Sequence, residues 1–220
     1  MGILQSIFAS SIGKKAVMAL TGLVLFGFVV AHLLGNLQVY SGPDALNHYA
    51  KLLRVEPPLL WAARLMLAGS VLLHIWAAIS LTRMNQLARP VDYRERKNIN
   101  STYSSRTMRW GGVIIALFVV YHLMHFTLGV RAVHSDFVEG DVYHNVVSGF
   151  QFWPASAFYI LAMIALGFHL RHGLWSMLQT LGANHPKYNA VRDAFAILFA
   201  LVVTLGNISI PVAVLTGLVR

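Results

Sequence analysis

The chain has 220 residues, of which 57% are hydrophobic and 11% are charged, and it contains no cysteine. This composition is typical of a membrane protein and excludes a soluble domain. Without cysteine the chain cannot form disulfides or bind iron–sulfur clusters, so any such cluster belongs to a partner. The formal net charge of +9 is explained below by membrane topology rather than by nucleic-acid binding.

Five apolar segments, each of roughly 20 residues or more, are long enough to cross a bilayer as helices. A sixth segment, residues 3–12, has the apolar spacing of a helix that lies along the membrane surface. We therefore predict an all-α membrane protein with one domain over residues 1–220. The five predicted spans cover about residues 16–39, 59–84, 108–130, 155–181 and 191–217.

Lysine and arginine are concentrated on one side of this topology. Lys14 and Lys15 precede the first span, and Lys187 and Arg192 lie between the fourth and fifth. The loop between the second and third spans is the most basic, with Arg83, Arg89, Arg94, Arg96, Lys97, Arg106 and Arg109. Because cytoplasmic loops carry the excess of basic residues, we predict a cytoplasmic N-terminus and an external C-terminus.

Each of the first four spans carries histidine, which is costly inside a bilayer and therefore indicates function. The histidines of the first and third spans lie in the outer half of the membrane, and those of the second and fourth lie in the inner half, roughly 5–8 Å from the midplane. This depth pattern predicts an outer pair and an inner pair. The residues are His32, His74, His122 with His125, and His169 with His172.

An internal repeat selects between neighbouring histidines of the third span. When His32 is aligned with His122, glycine, methionine, phenylalanine and valine positions of the two spans coincide. His125 has no counterpart, because the matching position is Gly35. His125 and His172 remain candidates for groups that support the ligands, contact propionates or quinone, or simply pack between helices.

Two imidazoles facing each other at each level predict haem rather than zinc. Zinc sites have clustered tetrahedral ligands, often with carboxylate or thiolate, and no acidic residue accompanies these histidines. A haem iron with two imidazole ligands has no open position, which favours electron transfer over oxygen chemistry. The first four spans are therefore predicted to form a bundle that binds two b-type haems.

The chain resembles the single-polypeptide di-haem cytochrome b anchors of succinate:quinone oxidoreductases, the succinate dehydrogenases and fumarate reductases. The resemblance rests on Thr21-Gly22 before His32, on Phe118-Val119-Val120-Tyr121-His122, and on the run from His169 to Trp175. It implies that His32 and His122 hold the outer haem and that His74 and His169 hold the inner one. This last assignment favours His169 over His172.

The resemblance also implies partners and a location. A flavoprotein with covalent FAD and an iron–sulfur subunit would dock on the cytoplasmic face of a bacterial cytoplasmic membrane, where this chain is a multi-pass protein. The electron acceptor or donor in the membrane would be a quinone, typically menaquinone. Succinate and fumarate chemistry would take place on the flavoprotein, so this subunit carries no dicarboxylate site.

Glu56 is the candidate for proton exchange with quinone, because some relatives use a glutamate in the connection after the first span. A solvated acid that pairs with Arg54 or Arg64 is the alternative. Asn36, Gln38 and His48 are weaker candidates. Gly167 occupies a position at which some fumarate reductases carry a glutamate, which argues against a proton path of that kind.

Anionic haem propionates need basic partners, and the inner candidates are Arg106, Arg109 and Arg171. Two other functions remain open from sequence. One is a cytochrome b anchor of a hydrogenase or formate dehydrogenase, and the other is a transporter that relays protons through intramembrane histidines.

Overall fold

The computed structural model describes residues 8–88 and 101–220, and regular secondary structure within these ranges is helical. Five helical segments are long and apolar enough to cross a membrane. The all-α, five-span prediction is therefore confirmed. The main helices are α1 (Ser11–Asn36), α2 (Pro43–Leu52), α3 (Pro57–Leu87), α4 (Tyr103–His122), α5 (Val142–Gln151), α6 (Trp153–Thr180) and α7 (Asn189–Leu215).

The first span begins earlier than predicted because a polar cap starts the helix. Ser10 Oγ accepts a hydrogen bond of 3.0 Å from the Gly13 amide, which satisfies a free donor at the start of α1. Ile12, which was assigned to a surface helix, is therefore part of α1. The rest of that predicted surface helix lies mostly in residues 1–7, outside the described residues.

The third span also begins earlier, at Tyr103, because Thr102 Oγ1 accepts from the Ser105 amide at 3.2 Å. It ends in a π-helical turn over Leu123–Thr127, in which the Leu128 amide reaches back to the Leu123 carbonyl. Such turns widen the helix by one residue and are frequent at functional sites. Here the turn immediately follows His122 and contains His125.

The spans form two antiparallel pairs, because α1 packs along α3 and α4 packs along α6. The pairs meet mainly through α1, which also contacts α6 and α7, while α7 packs along α6. Gly206 of α7 lies so close to α1 that an added Cβ would come within 3.0 Å of the Leu33 side chain. The fifth helix thus supports the four that carry the intramembrane histidines.

Two short helices cover one end of the bundle, which we call the upper end and define by residues 37–56 and 128–152. The lower end is the opposite one, defined by residues 10–15, 83–88, 101–109 and 180–192. Gly42 adopts φ of +93°, which permits the turn that precedes α2. Helices α2 and α5 contact each other through Asn47, whose side chain bonds Asp141 Oδ1 and the Tyr143 amide, each at 3.0 Å.

Candidate functional site

The lower histidine pair joins α3 to α6. The ring centroids of His74 and His169 lie 6.3 Å apart, with their planes inclined at 54°. Thr21 of α1 lies beside this pair, with its Oγ1 atom 3.1 Å from His74 Nδ1. The structure therefore brings together the two histidines that were predicted to meet in the half of the membrane nearer the N-terminal lysines.

The Thr21 hydroxyl fixes the tautomer of His74. Thr21 Oγ1 lies 2.8 Å from the Val17 carbonyl, to which it donates, because a carbonyl can only accept. Its lone pairs then accept from the Nδ1–H group of His74. The remaining nitrogen, Nε2, carries the free lone pair that a metal ligand needs.

His169 lacks such a partner. Its Nδ1 atom is buried and forms no hydrogen bond with the described residues. In the internal repeat, the counterpart of Thr21 is Gly111, which has no hydroxyl to offer. The repeat therefore places equivalent glycines next to the two lower rings, since a Cβ at Gly22 would touch His74 and one at Gly112 would touch His169.

The upper pair joins α1 to α4. The ring centroids of His32 and His122 lie 5.7 Å apart, and their planes are nearly perpendicular, at 88°. Each ring lies next to the phenylalanine four residues before it, since the centroids of Phe28 and Phe118 lie 5.2 and 5.7 Å from them. The aligned residues of the repeat thus make the same contacts in both helices.

A hydrogen-bonded group behind the upper pair was not predicted. Tyr159 of α6 places its hydroxyl 3.1 Å from Nδ1 of both His122 and His125. His134 lies 3.2 Å from the His125 carbonyl through Nδ1 and 2.9 Å from Ser148 Oγ through Nε2. His125 is 1% exposed, so this group is buried in protein.

The structure thus keeps His125 out of the pair and joins it to His122 through Tyr159. His172 is only partly buried and forms no hydrogen bond within residues 8–88 and 101–220. Tyr159 and His134 carry no sequence signal, because their partners lie on other elements. Thr21 did stand out as part of the Thr21-Gly22 pair, but only the fold reveals that its hydroxyl reaches His74.

Two of the three basic residues proposed as propionate partners lie at the lower end, and the third, Arg171, lies within α6 two residues after His169. Arg106 is exposed and donates through Nη1 to the Ser101 carbonyl at 3.3 Å, and Arg109 is also exposed. Arg171 Nη2 lies 3.7 Å from Asp193 Oδ1. The residues that line a groove of about 230 Å³ between α4 and α6 include Tyr103 near this end and His169 of the lower pair.

The quinone candidates lie at the upper end. Glu56 is exposed just before α3, and it forms no ion pair with Arg54 or Arg64 in the described part of the chain. His48 is exposed, while Asn36 and Gln38 are partly buried. A Cβ at Gly167 would overlap Thr204 Oγ1, so a carboxylate side chain at this position would require the Thr204 side chain to shift.

The residues of both pairs fit a haem. Metal–imidazole bonds are about 2 Å long, so two imidazoles on opposite sides of one iron have ring centroids roughly 6 Å apart. The observed separations, 5.7 and 6.3 Å, agree with this spacing. No group of three or more histidine, cysteine, aspartate or glutamate side chains within the described ranges could hold a metal ion by itself.

Comparison with known proteins identifies one family. The family described as "Succinate dehydrogenase/Fumarate reductase transmembrane subunit" matches residues 90–207, which is more than half of the chain. The matched range includes His122 and His169 but neither His32 nor His74. Comparisons with curated proteins and with solved structures gave no match.

Proposed function

Since this chain belongs to the succinate dehydrogenase/fumarate reductase transmembrane subunit family, we propose that it is a di-haem cytochrome b that transfers electrons between soluble partners and membrane quinone. The family membership itself establishes a multi-pass membrane subunit of such a complex. It also favours this complex over a hydrogenase or formate dehydrogenase. The haems, the quinone and their residues are the proposal.

The observation that carries the proposal is the presence of two histidine pairs at two levels of one bundle. Thr21 contacts the lower pair and His32 belongs to the upper pair, and these residues are eleven positions apart on α1. At 1.5 Å per residue, the two levels differ by about 16 Å along the helix. Two haems at these levels would link one side of the membrane with the other.

Haem iron held by two imidazoles would accept and release single electrons. In the proposal, His74 and His169 hold the lower haem, and His32 and His122 hold the upper one. Thr21 keeps the His74 ring in the tautomer that leaves Nε2 free to bind iron. Two imidazole ligands for each iron would leave no open position, which favours electron transfer over oxygen chemistry.

The two ends of the bundle suggest where the partners bind. The lower end carries Arg106 and Arg109, which we propose, together with Arg171 of α6, as propionate partners of the lower haem. The flavoprotein with its FAD and the iron–sulfur subunit would dock at this end, which is the predicted cytoplasmic one. At the upper end, exposed Glu56 would exchange the proton that accompanies menaquinone oxidation or reduction.

The test is the haem content of the purified complex and of single alanine variants. A dithionite-minus-oxidised spectrum should show two b-type haems for each copy of this chain. His32→Ala or His122→Ala should remove the upper signal, whereas His74→Ala or His169→Ala should remove the lower one. The matched control is His48→Ala, which changes an exposed histidine outside both pairs and should leave two haems.

Two results would contradict the proposal. A wild-type complex without haem, prepared with adequate haem supply, would favour a transporter that relays protons through histidines. If His125→Ala removed the upper haem while His122→Ala spared it, the ligand assignment from the repeat would be wrong.

A further inference from the structure

We infer that Tyr159 is a positioning residue that sets the tautomer and basicity of His122 and thereby the redox potential of the upper haem. The inference rests on the proposed function, because it assumes that His122 binds haem iron. It assigns a role to a residue on α6, a helix that supplies a ligand only to the lower pair. The observation behind it is the double contact of the Tyr159 hydroxyl with His122 and His125.

If His122 is an iron ligand, the hydrogen atoms of this contact have one arrangement that satisfies the Tyr159 hydroxyl and both Nδ1 atoms. A tyrosine hydroxyl has one proton to donate and lone pairs that accept. If His122 binds iron through Nε2, its Nδ1 must carry hydrogen and donate to Tyr159. The Tyr159 proton is then free for His125 Nδ1, which accepts it. If both histidines donated to Tyr159 instead, the hydroxyl proton would lose this partner in a buried setting.

His125 is held in place to receive that proton. His134 Nδ1 donates to the His125 carbonyl, because a carbonyl can only accept, and Ser148 therefore donates to His134 Nε2. Gly149 of α5 packs against the His125 ring so closely that an added Cβ would come within 3.0 Å of Nε2. The π-helical turn and α5 thus fix the position of the acceptor.

A hydrogen bond from the second ring nitrogen makes an imidazole ligand more basic. A more basic ligand stabilises ferric over ferrous iron, so the Tyr159 contact should lower the potential of the upper haem. His134 bonds the backbone carbonyl of His125 rather than its ring, so the group is not a continuous proton path. Its role is therefore to orient and polarise His122.

The test is Tyr159→Phe, which removes only the hydroxyl, in the assembled complex in nanodiscs. In a redox titration, the ferrous-to-ferric ratio of the upper haem at a fixed potential should rise about three- to tenfold. This is the effect expected from the loss of one hydrogen bond. The lower haem should not change. The low-spin ferric EPR signal, which depends on the angle between the two imidazole planes, should change for the upper haem alone.

The matched control is Tyr121→Phe. The Tyr121 ring lies 5.4 Å from that of His125, but its hydroxyl forms no hydrogen bond to an imidazole in the described residues. This variant should titrate like the wild type. His125→Phe provides a second arm, because it removes the acceptor of the Tyr159 proton and should shift the upper haem in the same direction by a smaller factor.

The outcomes separate the two proposals. A wild-type complex without an upper haem overturns the proposed function and this inference together, before any variant is made. An upper haem that titrates unchanged in Tyr159→Phe overturns the inference alone, whatever His125→Phe shows. An equal shift of the upper-haem potential in Tyr121→Phe also overturns the inference. Selective loss of the upper haem from Tyr159→Phe, with the lower haem retained, supports the inference because the ligand is no longer held.

Discussion

Thr21 and Gly111 occupy equivalent positions of the internal repeat but differ in what they offer to the nearest histidine. Thr21 provides a hydroxyl to His74, whereas Gly111 provides none to His169, whose Nδ1 atom stays unpaired among the described residues. The two imidazoles of the lower pair therefore differ in basicity. The Thr21 hydroxyl contributes to this difference, and its contribution can be tested in both directions.

We expect Thr21→Val to raise the midpoint potential of the lower haem and to weaken its retention by about 10- to 100-fold, because His74 loses the partner that orients it. Redox titration and haem loss in detergent measure the two effects. Thr204→Val is the matched control, since Thr204 is also an intramembrane threonine but donates weakly to the Met163 carbonyl at 3.5 Å. If Thr21→Val leaves both the potential and the retention of the lower haem unchanged, the contact between Thr21 and His74 does not act on a ligand.

The reverse change is Gly111→Ser. A Cβ at Gly111 would lie 3.9 Å from the Ala165 carbonyl, an ordinary contact, so serine fits without displacing α6. By analogy with Thr21, the added hydroxyl should accept from His169 and lower the potential of the lower haem. Gly111→Ala separates the hydroxyl from the added bulk. If the potential of the lower haem shifts equally in the alanine and serine variants, the added hydrogen bond is not the cause of the shift.

At the scale of helices, the spans could be predicted from sequence but the short helices could not. Long apolar runs have few alternatives to a spanning helix, so the five spans follow from length and composition. Helices α2 and α5 have ten residues each and become stable only when they pack on each other and on the bundle. Their start signals, Gly42-Pro43 and Asp141, are visible in the sequence but short.

Asp141 connects α2 and α5 and makes their stability depend on pH. It caps α5 by accepting from the His144 amide and accepts again from Asn47. These hydrogen bonds, led by the one from the His144 amide, hold the pKa of the Asp141 carboxyl below its ordinary value. The stabilisation is therefore complete above the unfolded pKa of about 4 and is lost as the pH falls through the lower folded pKa.

We expect Asp141→Ala to lower the free energy of unfolding near neutral pH by at most about 1 kcal/mol, because the cap is lost but the site is largely solvated. The difference in the free energy of unfolding between this variant and the wild type should shrink as the pH falls below about 4. Thermal unfolding in nanodiscs measures both. Glu139→Gln, at an exposed neighbouring acid, is the control. A difference that stays constant across this pH range would contradict the role of the carboxylate.

For the whole molecule, the depth of each histidine in its span explains why the histidine pairs could be anticipated. Helix rise and span direction alone determine which histidines share a level, so the expected partners followed from position. The supporting groups depend on contacts between distant residues, such as Thr21 with His74 and Tyr159 with His122, which periodicity does not reveal. The proximity of the paired histidines is therefore easier to anticipate than the residues that hydrogen-bond to them.

The orientation of the molecule is a prediction that its lack of cysteine makes simple to test. Single cysteines can be placed at exposed positions of the two ends, as Glu139→Cys at the upper end and Ala183→Cys at the lower end. Because the lower end carries the excess of basic residues, we expect it to be cytoplasmic. A membrane-impermeant maleimide should then label Glu139→Cys in intact cells and label Ala183→Cys only after permeabilisation. Labelling of Ala183→Cys in intact cells would invert the topology, and it would move the docking face for the soluble partners to the end that carries Glu56.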